Sequence, residues 1–171
     1  MRHIISILLQ NESGALARVS GMFAARGYNI ESLTVAPTQD PSLSRLTLVT
    51  MGSDEVIDQI VKQSRKLIDV VEVLDVTVRA HSECELMLIK LRVAPHAREA
   101  WEGLCAQHEM HVLETEGDLH CLRVAGTGTE IDAMVAELAA IGEVVELVRS
   151  GVAAIETGSA VLGARVLATA S

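Results

Sequence analysis

Aromatic residues are almost missing from this chain: one Phe, one Tyr and one Trp make up 2% of it, although 49% of its residues are hydrophobic. Its interior must therefore be built from Val, Ile, Leu and Ala, and small β-branched cores suit sheets that carry helices on one side. A disulfide frame is excluded as well. Cys84, Cys105 and Cys121 are odd in number and widely spaced, which indicates reduced thiols in a cytoplasmic protein. Positive charge is scarce, with 14 Lys and Arg against 23 Asp and Glu, and the net charge of −9 opposes binding to phosphate backbones or anionic lipid. Neither nucleic acid nor a membrane is expected as a partner. No apolar run approaches the ~20 residues that span a bilayer. The stretch from His3 to Leu9 is too short for a secretory leader and is followed by Gln10-Asn11-Glu12 in place of a small-residue cleavage site, so it reads as a strand.

What the chain has in excess is apolar surface. A mean hydropathy of +0.32 leaves little polar surface to cover a small monomer, so an oligomer is expected. At 171 residues there is room for one ordinary domain or two small ones, and the order of elements indicates two. The first half reads as a strand from Ile4 to Leu9, a helix from Gly14 to Arg26 stopped by Gly27, and a strand from Tyr28 to Val35. A loop containing Pro37 and Pro41 leads to a strand from Arg45 to Met51, a helix striped by Ile57, Ile60, Val61, Ser64 and Ile68, and a strand from Val70 to Val78. Polar residues from Arg79 to Glu83 then interrupt the pattern, which sets a first domain at 1–79 and a linker at 80–84.

The order repeats over 85–155, beginning with a strand from Glu85 to Val93. Pro95 takes the first turn of a helix striped by Ala97, Ala100, Trp101, Leu104, Cys105 and His108. A hairpin of Met110 to Glu114 and Leu119 to Ala125 follows, then a helix striped by Ile131, Met134, Val135 and Leu138, and a strand from Glu143 to Arg149. Two successive βαββαβ units specify an α+β chain of two tandem ferredoxin-like domains, each an antiparallel sheet with helices on one face. The Gly- and Ala-rich tail, 156–171, carries no assigned element.

The corner Gln10-Asn11-Glu12-Ser13-Gly14-Ala15-Leu16 joins the first strand to the first helix. The opening N–H groups of a helix have no partner within it, and Ser13 can cap only one, which leaves the amides of Gly14 to Leu16 free to hold a carboxylate. Gly14 has no side chain to block the approach. Asn11, and Asn29 in the stretch Gly27-Tyr28-Asn29-Ile30, offer amide groups that bond an ammonium or a carboxylate. Neither stretch holds a nucleophile or a general base, so together they suggest binding of an amino acid without turnover. The plainer alternative stands beside this: Gly14 only turns the corner, Asn11 only caps, and Leu16 and Ile30 are ordinary core.

Asn11-Glu-Ser-Gly-Ala-Leu-Ala-Arg-Val19, Arg26-Gly-Tyr-Asn-Ile-Glu-Ser-Leu-Thr-Val-Ala-Pro37 and Ser44-Arg-Leu-Thr47 together resemble the small, regulatory subunits of acetolactate synthase, also called acetohydroxyacid synthase. Val144-Val-Glu-Leu-Val-Arg-Ser-Gly151 resembles the closing segment of the same family. The resemblance implies that the first domain is an ACT domain, which binds amino acids at dimer interfaces, and that the second dimerises and helps to grip a catalytic large subunit. It implies a feedback inhibitor, usually valine, held by Asn11, Gly14, Ala15 and Leu16 of one chain and Asn29 and Ile30 of its partner. It further implies no catalysis and no cofactor in this chain; thiamine diphosphate, magnesium and FAD would belong to the large subunit, which makes 2-acetolactate and 2-aceto-2-hydroxybutyrate. Two other functions remain open: an amino-acid sensor with no enzyme partner, and a metal-binding regulator.

The metal alternative rests on His108-Glu109-Met110-His111 with His120-Cys121, which are ligand types for a transition metal, although His108 continues a helix stripe and Cys121 suits a strand interior. Gly126-Thr127-Gly128-Thr129 lacks the later Gly of a dinucleotide loop and the Lys of a phosphate loop, so it starts a helix. Arg18 lies near the anion-friendly corner, which has too few glycines to wrap a phosphate. Asp69, Glu72 and Asp75 are read as a solvated face.

Overall fold

Seven consecutive residues of the first strand, His3 to Leu9, are buried in the computed structural model, which describes residues 1–163. Such a run needs cover on both faces. β1 (Arg2–Gln10) lies inside an antiparallel sheet of order β2-β3-β1-β4, with β2 at Ser32–Pro37, β3 at Leu43–Met51 and β4 at Val70–Asp75. On one face, Ile5, Ile7, Leu9, Leu46, Leu48 and Val73 meet Val19, Met22 and Phe23 of α1 (Ala15–Ala25) and Ile57 and Ile60 of α2 (Asp54–Ser64). On the other, Ile4, Val49 and Val76 meet Val152 and Ala154, which return from the far end of the chain.

That returning segment differs from the domain limits expected from sequence. The chain divides into Met1–Ser82 joined by the segment from Val152, and Glu83–Gly151. A ninth strand, β9 (Ala153–Glu156), stands where the second domain was expected to close and a featureless tail to begin. The segment is held by polar contacts as well as apolar ones. Val152 N–H donates to Ser32 Oγ at 3.3 Å, Arg45 Nη2 donates to Ala154 O at 2.9 Å, and Gly163 N–H donates to Glu72 at 2.6 Å. Residues 164–171 of the expected tail lie outside the described residues.

Two further boundaries in this unit differ for local reasons. Gly27, at φ +69°, sends the chain back on itself, so Tyr28 N–H bonds Phe23 O at 3.0 Å and the Tyr28 ring packs edge-on against Phe23 at 6.1 Å. Pairing with β3 therefore starts only at Glu31, whose N–H donates to Val49 O, and β2 begins at Ser32 and not at Tyr28. α2 stops at Ser64, which leaves Ile68 outside its stripe and 88% exposed while Leu67 packs on the core.

In the second unit β5 (His81–Arg92) starts inside the stretch expected to be a linker, and from Glu85 onward it alternates buried and exposed residues. Its sheet has the order β6-β7-β5-β8, with β6 at Met110–Glu116, β7 at Leu119–Gly126 and β8 at Glu143–Arg149. Met87, Ile89, Leu91, Leu122 and Val124 pack against Trp101 of α3 (Arg98–Gln107) and Ile131, Met134 and Leu138 of α4 (Gly128–Ile141). α4 opens with a reciprocal cap: Glu130 N–H donates to Thr127 Oγ1 at 3.2 Å and Thr127 N–H donates to Glu130 at 2.7 Å. The glycines of 126–129 thus start a helix. Arg149 ties three elements together, donating to buried Glu85 at 3.0 and 2.6 Å and to Asp132 of α4 at 2.6 Å. Each unit is the α+β, ferredoxin-like arrangement read from the sequence, an antiparallel four-strand order with two α-helices.

Candidate functional site

The corner after β1 is fastened before the helix begins. Gln10 N–H donates to Asp69 O at 2.8 Å, Asn11 N–H to Ser42 O at 2.7 Å, and Asn11 Nδ2 to Pro41 O at 3.0 Å. The Asp69 carbonyl stands just before β4, and those of Pro41 and Ser42 belong to the β2–β3 loop, where the Asp40 carboxylate accepts from Ser42 Oγ at 2.7 Å and Ser42 N–H at 2.9 Å. These bonds, the side-chain one foremost, hold the Asp40 carboxyl below the usual carboxylate range. The Nδ2 half of the Asn11 amide is thus committed to the fold.

Gly14 is the N-cap of α1, at φ +86°, and no side chain caps it. Ser13, expected to cap the helix, does not. The amide of Ala15 donates to Glu12 O at 3.2 Å, and the first regular helical bond runs from Arg18 N–H to Gly14 O at 3.0 Å. Of the expected amides, Gly14 to Leu16, Ala15's is occupied, while that of Leu16 precedes the ladder, as does that of Ala17, which was not among those expected. Ala15 fills the core at 2% exposure and Leu16 faces outward at 38%. α1 carries no acidic residue in its first turn, whereas α2 carries Asp54 and Glu55 there.

The left-handed backbone makes Gly14 replaceable only at a cost, because a Cβ there would also stand 3.0 Å from Arg18 Nη1. Gly14→Ala is expected to lower stability by about 1–2 kcal/mol, read as a drop in the urea midpoint at unchanged slope.

Asn29 and Ile30 sit elsewhere. Asn29 is exposed, and its main-chain oxygen accepts from Thr50 Oγ1 at 2.6 Å; Ile30 is half-buried against the helix-side core. Thr50 pairs with His3 at one end of β1, and Leu43 pairs with Gln10 at the other. Seven residue steps along β1 separate these ends, about 24 Å at ~3.4 Å per residue. Asn11, Gly14, Ala15 and Leu16 therefore cluster at one end of the sheet, with Asn29 and Ile30 at the opposite end.

The acidic residues read as a solvated face have partners instead. Glu72 receives the Gly163 amide, and Asp75 receives Thr77 N–H at 2.9 Å and lies 3.5 Å from buried His3. Asp69 is 5% exposed and forms a two-point ion pair with Arg18, with Arg18 Nη2 2.8 Å from Oδ1. Its carboxyl is held below the usual range chiefly by the Arg18 hydrogen bond, against burial that pushes it up. A carboxyl depressed by folding contributes stability that is full above its unfolded pKa and is lost as pH falls through the lower folded value. The stability difference between the chain and Asp69→Asn is thus expected to be constant from about pH 8 to about pH 5 and to shrink below about pH 4, in urea midpoints. Arg18 was visible in sequence one turn beyond Gly14, but its partner is 51 residues away and gave no local signal.

Two of the histidines in the second unit, His108 and His120, also have partners. α3 ends at Gln107, so His108 is not on its stripe; its Nε2 lies 3.1 Å from Glu137. His120 stacks on Trp101 at 4.8 Å and sits 3.0 Å from Thr115 Oγ1. Among the described residues no group of three or more His, Cys, Asp or Glu is placed to hold a metal ion, and no helix is long and apolar enough to cross a membrane.

Residues 5–72 match the AHAS small subunit-like ACT domain, and residues 84–158 match the small subunit of acetolactate synthase. The acetolactate synthase isozyme 3 small subunits of Salmonella typhimurium and Escherichia coli are 44% and 43% identical to this chain over 162 residues, which is 95% of it and 99% of each relative. The crystal structure of the acetolactate synthase small subunit from Thermotoga maritima superposes with a TM-score of 0.82 at 30% identity, covering 94% of this chain and 99% of that one. Full-length similarity of this kind, on two ferredoxin-like units in the same order, shows that the chain belongs to the family of acetolactate synthase small subunits, the regulatory partners of that enzyme, and that its first unit is an ACT domain.

Proposed function

We propose that this chain activates a separate catalytic acetolactate synthase subunit in the cytoplasm and makes it sensitive to valine, which two copies of the chain bind between them. The observation that carries this reading is the distance along β1. A corner with unladdered amides and no acid in the first turn of its helix lies about 24 Å from the Asn29–Ile30 pair in the same chain, by ~3.4 Å per residue. One small ligand reaches both only if the second pair comes from another copy.

The topology supports such a pairing. β2 is the edge strand of the first sheet, and Val35, Ala36 and Pro37 on it are exposed. An exposed edge invites another strand. If β2 pairs antiparallel with its own copy, the Ser32 end of one chain lies beside the Pro37 end of the other, which is the corner end because Pro37 pairs with Ser44. A two-fold interface then creates two equivalent sites per dimer. In each, the amides of Leu16 and Ala17 receive the ligand carboxylate, Gly14 gives it room, Asn11 and Asn29 orient it, and Leu16 and Ile30 surround a short branched side chain. Ala15 shapes the site from within the core.

Binding energy that differs between two dimer conformations is enough for regulation, since a coupling of ~1–3 kcal/mol changes activity about 5- to 150-fold. Thiamine diphosphate, magnesium and FAD would reside in the catalytic partner. Pocket volume discriminates one methylene by only ~1–3 kcal/mol, so leucine and isoleucine are expected as weaker ligands.

The test is calorimetric titration with valine, leucine, isoleucine and alanine, with sedimentation at the same concentrations. One valine per protomer, bound by the dimer and lost on dilution to monomer, is the expected result. Equal affinity in the monomer would overturn the shared site, and no heat with any amino acid would overturn ligand sensing by the chain alone.

A further inference from the structure

The corner from Gln10 to Arg18 is fastened at both of its ends to one residue outside it. The main-chain oxygen of Asp69 accepts Gln10 N–H at 2.8 Å, and the Asp69 carboxylate takes Nε and Nη2 of Arg18. The remaining guanidinium nitrogen, Nη1, lies over Gly14, 3.0 Å from where a Cβ on that residue would stand. We infer that Asp69, acting through Arg18, is a positioning residue for the ligand corner: it sets the spacing of the strand end and the helix start, and hence the aim of the amides between them. This inference rests on the proposed amino-acid site.

Main-chain donors orient a carboxylate only as well as the chain that carries them is itself fixed, and affinity is lost when a loop must be ordered on binding. Nine residues run from Gln10 to Arg18, and the middle of that run, Ser13 and Gly14, is exposed. Asp69 is buried while Arg18 keeps 45% of its surface in water, and such a half-buried ion pair is a weak source of stability, because desolvation of the carboxylate and solvent screening offset most of the attraction. What it supplies here is direction: the planar guanidinium meets the carboxylate at two points, which a lysine ammonium does not reproduce. The pair is also neutral as a whole. With its charge matched by Asp69, Arg18 leaves the nearby amides as the anion-seeking groups of the corner.

The experiment uses the full chain and three variants, Asp69→Asn, Arg18→Gln and the double Asp69→Asn/Arg18→Gln, titrated with valine well below their melting temperatures. Each single variant is expected to bind valine about tenfold more weakly. The double variant is expected to be no weaker than the worse single one, because all three lose the same contact. Unchanged affinity in a folded variant with a lowered melting temperature would assign the pair a purely structural role and overturn the inference, as would losses that add. If the parent chain binds no valine, the ligand reading fails, and the clamp is decided by hydrogen exchange. Faster exchange of the Leu16 and Ala17 amides in Asp69→Asn, with α2 unchanged, supports it, and equal exchange in the two chains overturns it.

Discussion

Asn29→Ala is expected to weaken valine binding about 10- to 150-fold, the range for losing a hydrogen bond to a charged group, and to raise the valine needed for half-inhibition of the reconstituted enzyme in proportion. Activation without valine should be unchanged. The expectation is sharp because, among the described residues, the fold bonds Asn29 through its main-chain oxygen, which accepts from Thr50, and leaves the residue exposed. Its side chain is therefore removable with a stability change within about 0.5 kcal/mol. Loss of both activation and inhibition in this variant would mean that the ligand site and the partner-binding surface are not separable.

Arg149→Met should have the largest effect on the second unit. Glu85 is buried at 3% exposure, and Arg149 is its bidentate partner, so the substitution leaves a carboxylate in the core with no counter-charge. Breaking such a pair costs about 3–5 kcal/mol when both groups are fully buried, and about 2–4 here because the guanidinium keeps 35% of its surface in water. Trp101, the one tryptophan, lies in the core of this unit and reports on it by fluorescence. A fall of about 10–25 °C in its transition is expected for a domain of this size. The double variant Glu85→Leu/Arg149→Met should recover much of the loss, since an apolar pair carries no stranded charge. Recovery would show that the penalty lies in the orphaned carboxylate and not in lost packing around Arg149.

Much of the fold was legible because period and punctuation agree. β5 alternates strictly, Gly27 ends α1 and Thr127 begins α4, and each signal lies within a few residues of the feature it marks. What was missed depends on contacts, near or far along the chain, that composition and period do not register. Tyr28 reads as strand by composition, but Phe23 holds it in a turn. Ile68 fits the helical period, yet the helix has already stopped at Ser64. Asp69 looks like one of three surface acids until α1 brings Arg18 to it across 51 residues. The corner itself was legible from Asn11, Gly14 and Leu16. That Ala15 uses its amide internally was not, because the bond to Glu12 depends on the left-handed turn at Gly14.

The segment that returns to cover the first sheet also sets an order of events during synthesis. Ile4, Val49 and Val76 are made early, but the residues that bury their outer faces, Val152 and Ala154, come about 75 to 150 positions later. At ~5–20 residues per second the ribosome exposes that half-finished sheet for several seconds, while all of Glu83–Gly151, a separate compact unit, is made. The first domain to emerge is the last to be completed. A message that stops before codon 152 would thus release an N-terminal domain with its helix face packed and its opposite face bare, a ready substrate for chaperones and proteases.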